Sequence, residues 1–107
     1  MKALKIGNLL APVPIVQGGM GVGISLAGLA SAVADQGGIG VIAGAMIGMK
    51  EPDVAKNPLE ANLRALRNEI IKARELSNGI IGVNIMVALS NFSDMVRTAI
   101  AEKADVI

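Results

Sequence analysis

The chain of 107 residues contains no cysteine and no histidine. Without cysteine it can form no disulfide, no thiolate nucleophile and no cysteine-ligated metal site. Without histidine it lacks the side chain that most often serves as a general base near neutral pH. We therefore assign no catalytic residue and no metal ligand to this sequence.

Aromatic residues and net charge are scarce as well. Phe92 is the only aromatic residue, and ten Lys/Arg against nine Asp/Glu leave a net charge of +1. A balanced charge disfavours nucleic-acid binding, which depends on a basic face that neutralises phosphates. The length suits one small domain. Because hydrophobic residues still make up 52% of the chain, the core must be aliphatic, as in parallel sheets covered by helices.

The sequence also shows neither the pattern of a signal peptide nor an apolar run long enough to span a membrane. Residues 18–49 carry Asp35 as their only charge. However, each half of that stretch is shorter than the ~20 apolar residues that a membrane span requires. The lysines near the N-terminus are not followed by an apolar run with a small-residue cleavage site. We expect a cytoplasmic protein that binds neither membranes nor nucleic acids.

Short apolar runs alternate with amphipathic segments along the chain. The apolar runs predict strands at Val13–Gln17, Ile39–Ala43, Ile80–Val87 and Ala104–Ile107. The amphipathic segments predict helices at Leu26–Gln36, from Pro58 to the Asn78-Gly79 pair, and at Phe92–Lys103. This order implies parallel strands joined by right-handed crossovers.

Polar side chains stand where each predicted helix begins. Ser25 is placed to cap the first helix, Asn57 the second, and Ser90 or Asn91 the third. The charged residues of the second helix, Glu69 among them, are predicted to form a solvated face.

The predicted elements allow two architectures: a small open sheet, or half of an eight-stranded barrel. The last residues resemble the start of a buried strand, and a domain seldom ends there because termini normally lie at the surface. We therefore expect residues 1–107 to be part of a longer chain.

The segment PIVQGGMGVGIS, residues 14–25, contains the end of the first predicted strand and the run of glycines that follows it. A dinucleotide fingerprint needs glycines at i, i+2 and i+5, and Ile24 and Leu26 occupy the positions where the third glycine would fall. A P-loop needs a Gly-Lys-Ser/Thr sequence, which is missing. Two interpretations stay open from the residues alone: a strip of main chain against a flat ligand, or a turn that glycine makes only for packing.

Asn84 interrupts the otherwise apolar run GVNIMV. An unpaired buried amide costs ~1–3 kcal/mol, so it needs a partner. Strand alternation places Asn84 on the same face as Gly82 and Met86. We favour a ligand as the partner over neighbouring main chain. The same argument applies with less force to Gln17, at the end of the first strand.

Together, PI-x-QGGM and GVN-I-M, with QGGIGVIAG between them, resemble the N-terminal half of the nitronate monooxygenases, also called 2-nitropropane dioxygenases. The FMN-dependent enoyl-acyl-carrier-protein reductases are their relatives. The resemblance covers the whole chain. It implies an α/β fold of parallel (βα) units, with residues 1–107 forming the N-terminal half of a TIM-type (β/α)8 barrel that binds FMN at the carboxyl edge of its strands.

The resemblance also implies a cofactor site. Main chain of residues 18–20 would lie along the isoalloxazine ring, and the amide of Asn84 would contact the flavin. The candidate cofactor-binding residues all lie at the ends of predicted strands: Gln17, Gly18, Gly19, Met20, Ala43, Gly44 and Asn84.

The implied reaction is oxidation of an alkyl nitronate by FMN and dioxygen, which gives a carbonyl compound and nitrite. The first alternative is reduction of an enoyl thioester by FMN and NAD(P)H. The second is a truncated, non-catalytic half-barrel that self-associates, because half-barrels expose strand edges and an apolar face; a homo-oligomer is thus left open. The family's catalytic histidine and phosphate loops belong to later strands. These 107 residues alone are therefore expected to lack turnover and to bind FMN weakly or not at all.

Overall fold

A short parallel sheet forms the centre of the computed structural model, which describes all 107 residues. Its strands and helices, in chain order, are β1 Leu4–Ile6, β2 Leu9–Ala11, α1 Ala27–Asp35, β3 Ile39–Ala43, α2 Pro58–Leu76, β4 Ile80–Asn84 and α3 Phe92–Ala101. Strands β3 and β4 run parallel, with Ile39 opposite Ile80 and Ala43 opposite Asn84. The predicted α/β class and the parallel βα units are confirmed.

The two outer strands are shorter than predicted. Val13–Gln17 joins β3 through a single bridge between Val16 and Ile39, and Ala104–Ile107 joins β4 through a bridge between Gly82 and Val106. A full strand over Val13–Gln17 was therefore the wrong prediction, whereas Ala104–Ile107, predicted as the start of a strand, does pair with β4. On the first edge the N–H of Ile15 bonds to the carbonyl oxygen of Val13 instead of to β3, and the chain leaves the sheet after Gln17. The four parallel segments form an open sheet, and the half-barrel stays a prediction.

The ends of the other elements differ modestly from the predictions. Strand β4 stops at Asn84 rather than Val87, since its partner β3 also ends at that rung. Helix α3 stops at Ala101, and Lys103 adopts a left-handed backbone with φ 61° that cannot continue a helix. The connection after β3 contains one 3₁₀ turn, Ile47–Lys50, that was not predicted.

The N-terminal residues form a hairpin that the sequence analysis missed. Strands β1 and β2 pair antiparallel, and the turn between them contains Gly7 with φ +56°. The dipeptide Gly7-Asn8 is a recognised hairpin signal and was the available clue. Ala11, at the end of β2, packs with Ile39 and Val41 in a small second core.

The three helices cover one face of the sheet. The main core contains Ile42 and Ile81 from the strands and Leu66, Ile70 and Met95 from the helices, all almost fully buried. Helix α1 lies so close to β3 that a Cβ on Gly40 would stand 1.8 Å from the carbonyl oxygen of Ala30. No helix has both the length and the hydropathy that crossing a membrane requires.

Helix α1 is capped by a side chain from another helix. The predicted cap, Ser25, is wrong: the N-cap residue is Leu26, which makes no side-chain capping bond. Instead the N–H of Ala27 donates to Oε2 of Glu69 on α2, at 2.9 Å. Glu69 is therefore more than part of a solvated face, because a carboxylate at a helix N-terminus satisfies a free N–H and complements the helix dipole. Asn57 and Asn91 stand at the predicted cap positions but form no side-chain capping bond.

Replacing Glu69 with alanine should lower the free energy of unfolding by about 1–2 kcal/mol, because the N–H of Ala27 loses its partner in a buried place. Chemical denaturation measures this. Glu75→Ala is the matched control, since Glu75 is an exposed residue of the same helix without a hydrogen bond or ion pair. Equal stability of the two variants would show that the bond to Ala27 contributes nothing.

Candidate functional site

The residues Gly18–Ile24, called the glycine loop from here on, leave the sheet at the carboxyl end of the first edge segment. Three of its glycines have positive φ: 60° at Gly19, 95° at Gly21 and 73° at Gly23. Residues other than glycine rarely adopt this backbone conformation without strain. The loop lies at the edge of a parallel sheet where ligands bind in α/β proteins.

Gly19 brings the loop into close contact with the two central strands. A Cβ at this position would stand 2.3 Å from Cγ1 of Val41 on β3 and 3.2 Å from Cβ of Asn84 on β4. At Gly18, by contrast, a Cβ would meet nothing within 4 Å. Only the second of these adjacent glycines is therefore required by packing, and the first leaves open space beside the main chain.

Asn84 ties the glycine loop to the end of β4. Its Nδ2 donates to the carbonyl oxygen of Gly19 at 3.2 Å and lies 3.1 Å from Sδ of Met20. The neighbouring main chain thus satisfies one end of the amide. Its Oδ1 accepts no hydrogen bond from the protein, which leaves this oxygen for a ligand.

A cavity of about 260 Å³ lies under the glycine loop. Its lining is apolar apart from one amide and consists of Gly19, Met20, Gly21, Val22, Ala43, Gly44, Ala45, Met46, Asn84 and Met86. No charged or titratable side chain belongs to it. The N–H groups of Gly18, Gly19 and Met20, which are consecutive, donate to no acceptor in the protein. The site therefore combines an apolar floor with free main-chain donors at its margin.

Five of the seven predicted residues line this cavity, and two lie elsewhere. The five are Gly19, Met20, Ala43, Gly44 and Asn84. Gly44 has its N–H engaged with the carbonyl oxygen of Asn84 at 2.9 Å, so its main-chain donor is already used. Gln17 and Gly18 instead line a neighbouring depression on the sheet face opposite the helices, beside Val41 and Gly82.

The amide of Gln17 is fully engaged by the protein. Its Oε1 accepts the N–H of Val41 at 3.1 Å, and its Nε2 donates to Oγ of Ser25. The Oγ of Ser25 in turn donates to the carbonyl oxygen of Val41 at 2.8 Å. The role predicted for Gln17 as a flavin contact stays a prediction, and no atom of its side-chain amide is left without a partner.

Met46 is a further cavity residue, outside the set of candidate cofactor-binding residues. It adopts φ 53°, one of only two residues other than glycine with a positive φ. Its segment is held in place from α2: the N–H of Gly48 donates to Oδ1 of Asn62 at 2.8 Å. The left-handed backbone has no signal in the sequence, since methionine seldom adopts it.

An ion-pair network fixes the rest of this connection. Arg64 on α2 pairs with Glu51 at 3.2 Å and with Asp53. The hydrogen bond from Arg64 holds the pKa of the Asp53 carboxyl below its ordinary value. The network lies outside the cavity. It holds the connection between β3 and α2, and Met46 of that connection lines the cavity.

The chain is an α/β protein whose apolar cavity lies at the carboxyl edge of its parallel βα units, the edge at which ligands bind in proteins of this class. The family model described as nitronate monooxygenase matches residues 2–107, and the chain belongs to that family. Family membership indicates an oxidoreductase. The resemblance seen in the sequence is thereby confirmed. A search of curated proteins finds no match.

Replacing Gly19 with alanine should lower the free energy of unfolding by about 2–4 kcal/mol, because the new Cβ overlaps Val41 and the backbone is left-handed. Gly18→Ala is the matched control next to it and should change stability by less than about 0.5 kcal/mol. Both values come from chemical denaturation. Similar losses in the two variants would contradict the close packing assigned to Gly19.

Proposed function

We propose that the protein is an FMN-dependent oxidoreductase that oxidises alkyl nitronates to carbonyl compounds and nitrite. Membership of the nitronate monooxygenase family supports the reaction class. The observation that carries the proposal is the run of free N–H groups at Gly18, Gly19 and Met20 beside an apolar cavity that contains the amide of Asn84. A flavin ring has a broad apolar face and hydrogen-bonding atoms along its edge, and this arrangement matches both.

The residues present fit the ring of FMN better than its phosphate. The cavity of about 260 Å³ is slightly smaller than typical ligand pockets of roughly 300–1,000 Å³, so it suits a ring without its side chain. No lysine or arginine lines it. A phosphate group would find no cationic partner there. The chain therefore supplies the wall for the isoalloxazine ring.

When bound, FMN supplies the redox chemistry between the nitronate and dioxygen. The residues of this chain would orient the flavin ring and enclose one side of it. Main-chain N–H groups of the glycine loop and Oδ1 of Asn84 offer hydrogen bonds at the ring edge, and Met20, Met46 and Met86 give the cavity an apolar lining.

Asn84→Ala should weaken flavin binding by about tenfold, the value of one hydrogen bond of ~1.4 kcal/mol. Quenching of flavin fluorescence on titration measures it. FMN and riboflavin should bind this chain with similar affinity, because no cationic residue lines the cavity. Asn68→Ala, an exposed position on α2, is the control and should bind as the unaltered chain does. Unchanged binding by Asn84→Ala would contradict the role given to this amide.

The reaction is tested with the protein expressed from its complete reading frame and loaded with FMN. It should release nitrite from propyl-2-nitronate in the presence of dioxygen. The competing reaction is tested in parallel with NAD(P)H and an enoyl thioester. Consumption of NAD(P)H with that thioester, without nitrite release from the nitronate, would overturn the proposal in favour of enoyl reduction.

A further inference from the structure

The peptide group of Val41 lacks the backbone partners that its place in the sheet calls for. Ile39, two residues earlier on β3, pairs with the first edge segment through its N–H to Ile15 and its carbonyl oxygen to Gln17, at 2.9 and 3.0 Å. In a parallel sheet the next residue that faces the same neighbour is two positions on, here Val41. By that point the neighbouring chain has left the sheet at Gly18. Because Val41 is 92% buried, its N–H and carbonyl oxygen need other partners.

Two side chains supply those partners. The Oε1 of Gln17 accepts the N–H of Val41, and the hydroxyl of Ser25 donates to its carbonyl oxygen. Ser25 then rejoins the sheet through its main chain, since its carbonyl oxygen accepts the N–H of Ala43 at 2.8 Å. Gln17 and Ser25 therefore continue the hydrogen bonding along this edge of β3, while the glycine loop between them forms no hydrogen bond to the sheet strands through its N–H groups.

The bond between Gln17 and Ser25 closes the base of the loop. The single proton of the Ser25 hydroxyl goes to Val41, so its oxygen must accept from Nε2 of Gln17. That bond fixes which end of the Gln17 amide faces Val41. Ser25 is 1% exposed, so water cannot substitute for these partners at low cost.

We propose that Gln17 and Ser25 are positioning residues that hold the glycine loop in the conformation that binds the flavin ring, and that Gln17 acts through Ser25 and Val41 rather than by touching the flavin. This inference rests on the proposed flavin site. Four of the seven loop residues are glycine, which has the largest conformational freedom of any residue. A loop of this composition needs a tie at its base if its N–H groups are to be pre-organised for a ligand.

The test compares two buried serines in the protein expressed from its complete reading frame. Ser25→Ala removes the tie, whereas Ser31→Ala removes a hydroxyl that bonds only to Gly28 within α1, at 3.0 Å. Ser25→Ala should weaken FMN binding at least tenfold, and its bound flavin at saturation should show a visible absorption band shifted towards that of free FMN. Hydrogen exchange of the Val41 and Ala43 amides should speed up in the flavin-free protein. Ser31→Ala should match the unaltered chain in all three measurements.

Gln17→Glu provides a second variant of almost the same shape. It keeps an acceptor for Val41 but cannot donate to Ser25, and it should behave as Ser25→Ala does. If Ser25→Ala does not fold, Gln17→Glu alone tests the positioning role.

Each outcome has one meaning. If the protein expressed from its complete reading frame binds FMN, and its Ser25→Ala and Gln17→Glu variants bind it with the same affinity and the same visible band, the positioning role is overturned and the flavin site stands. If that unaltered protein binds neither FMN nor riboflavin, the flavin site itself is overturned, and this inference falls with it. Weaker binding in both variants with an unaltered Ser31→Ala supports the inference.

Discussion

The need to hydrogen-bond the buried peptide group of Val41 governs the geometry around the site. If backbone supplied both partners, the first edge segment would continue alongside β3 and occupy the edge where the glycine loop now lies. Gln17 and Ser25 take over instead, and the chain is free to cross towards β4. Because side chains instead of backbone groups bond to Val41, the edge strand is short, and the main-chain donors of the glycine loop are exposed.

The site also requires the glycine loop to lie very close to strands β3 and β4. Gly19 can lie against Val41 and Asn84 only because it has no Cβ, and its carbonyl oxygen then meets the amide of Asn84. The same amide interrupts an apolar strand, at a cost that this bond offsets. The wall of the cavity is thus made of main chain on one side and strand ends on the other, with no charged group in it. Such a wall suits the flat ring of the proposed cofactor, which would supply the redox chemistry.

Features that depend on local pattern were predictable from the sequence. The apolar runs gave β3 in full and most of β4, and the Asn57-Pro58 pair gave the start of α2. The glycine segment and Asn84 were identified because each breaks its local pattern. Features that depend on distant partners were not predictable. Glu69 caps a helix more than forty residues away along the chain, and nothing local distinguishes Ser25 as a sheet partner from Ser25 as a helix cap. The left-handed backbone of Met46 was not predictable either, because methionine does not signal that conformation.

The account places the ring of a flavin against the glycine loop and Asn84. The most direct test is a titration of the ¹⁵N-labelled chain with riboflavin, followed by amide nuclear magnetic resonance. The account predicts that the largest shifts fall on the amides of Gly18 to Gly21 and on the side-chain amide of Asn84. It would be contradicted if those signals stayed in place and the shifts fell instead in the separate cleft between the first turns of α2 and α3, at Leu59, Asn62 and Asn91.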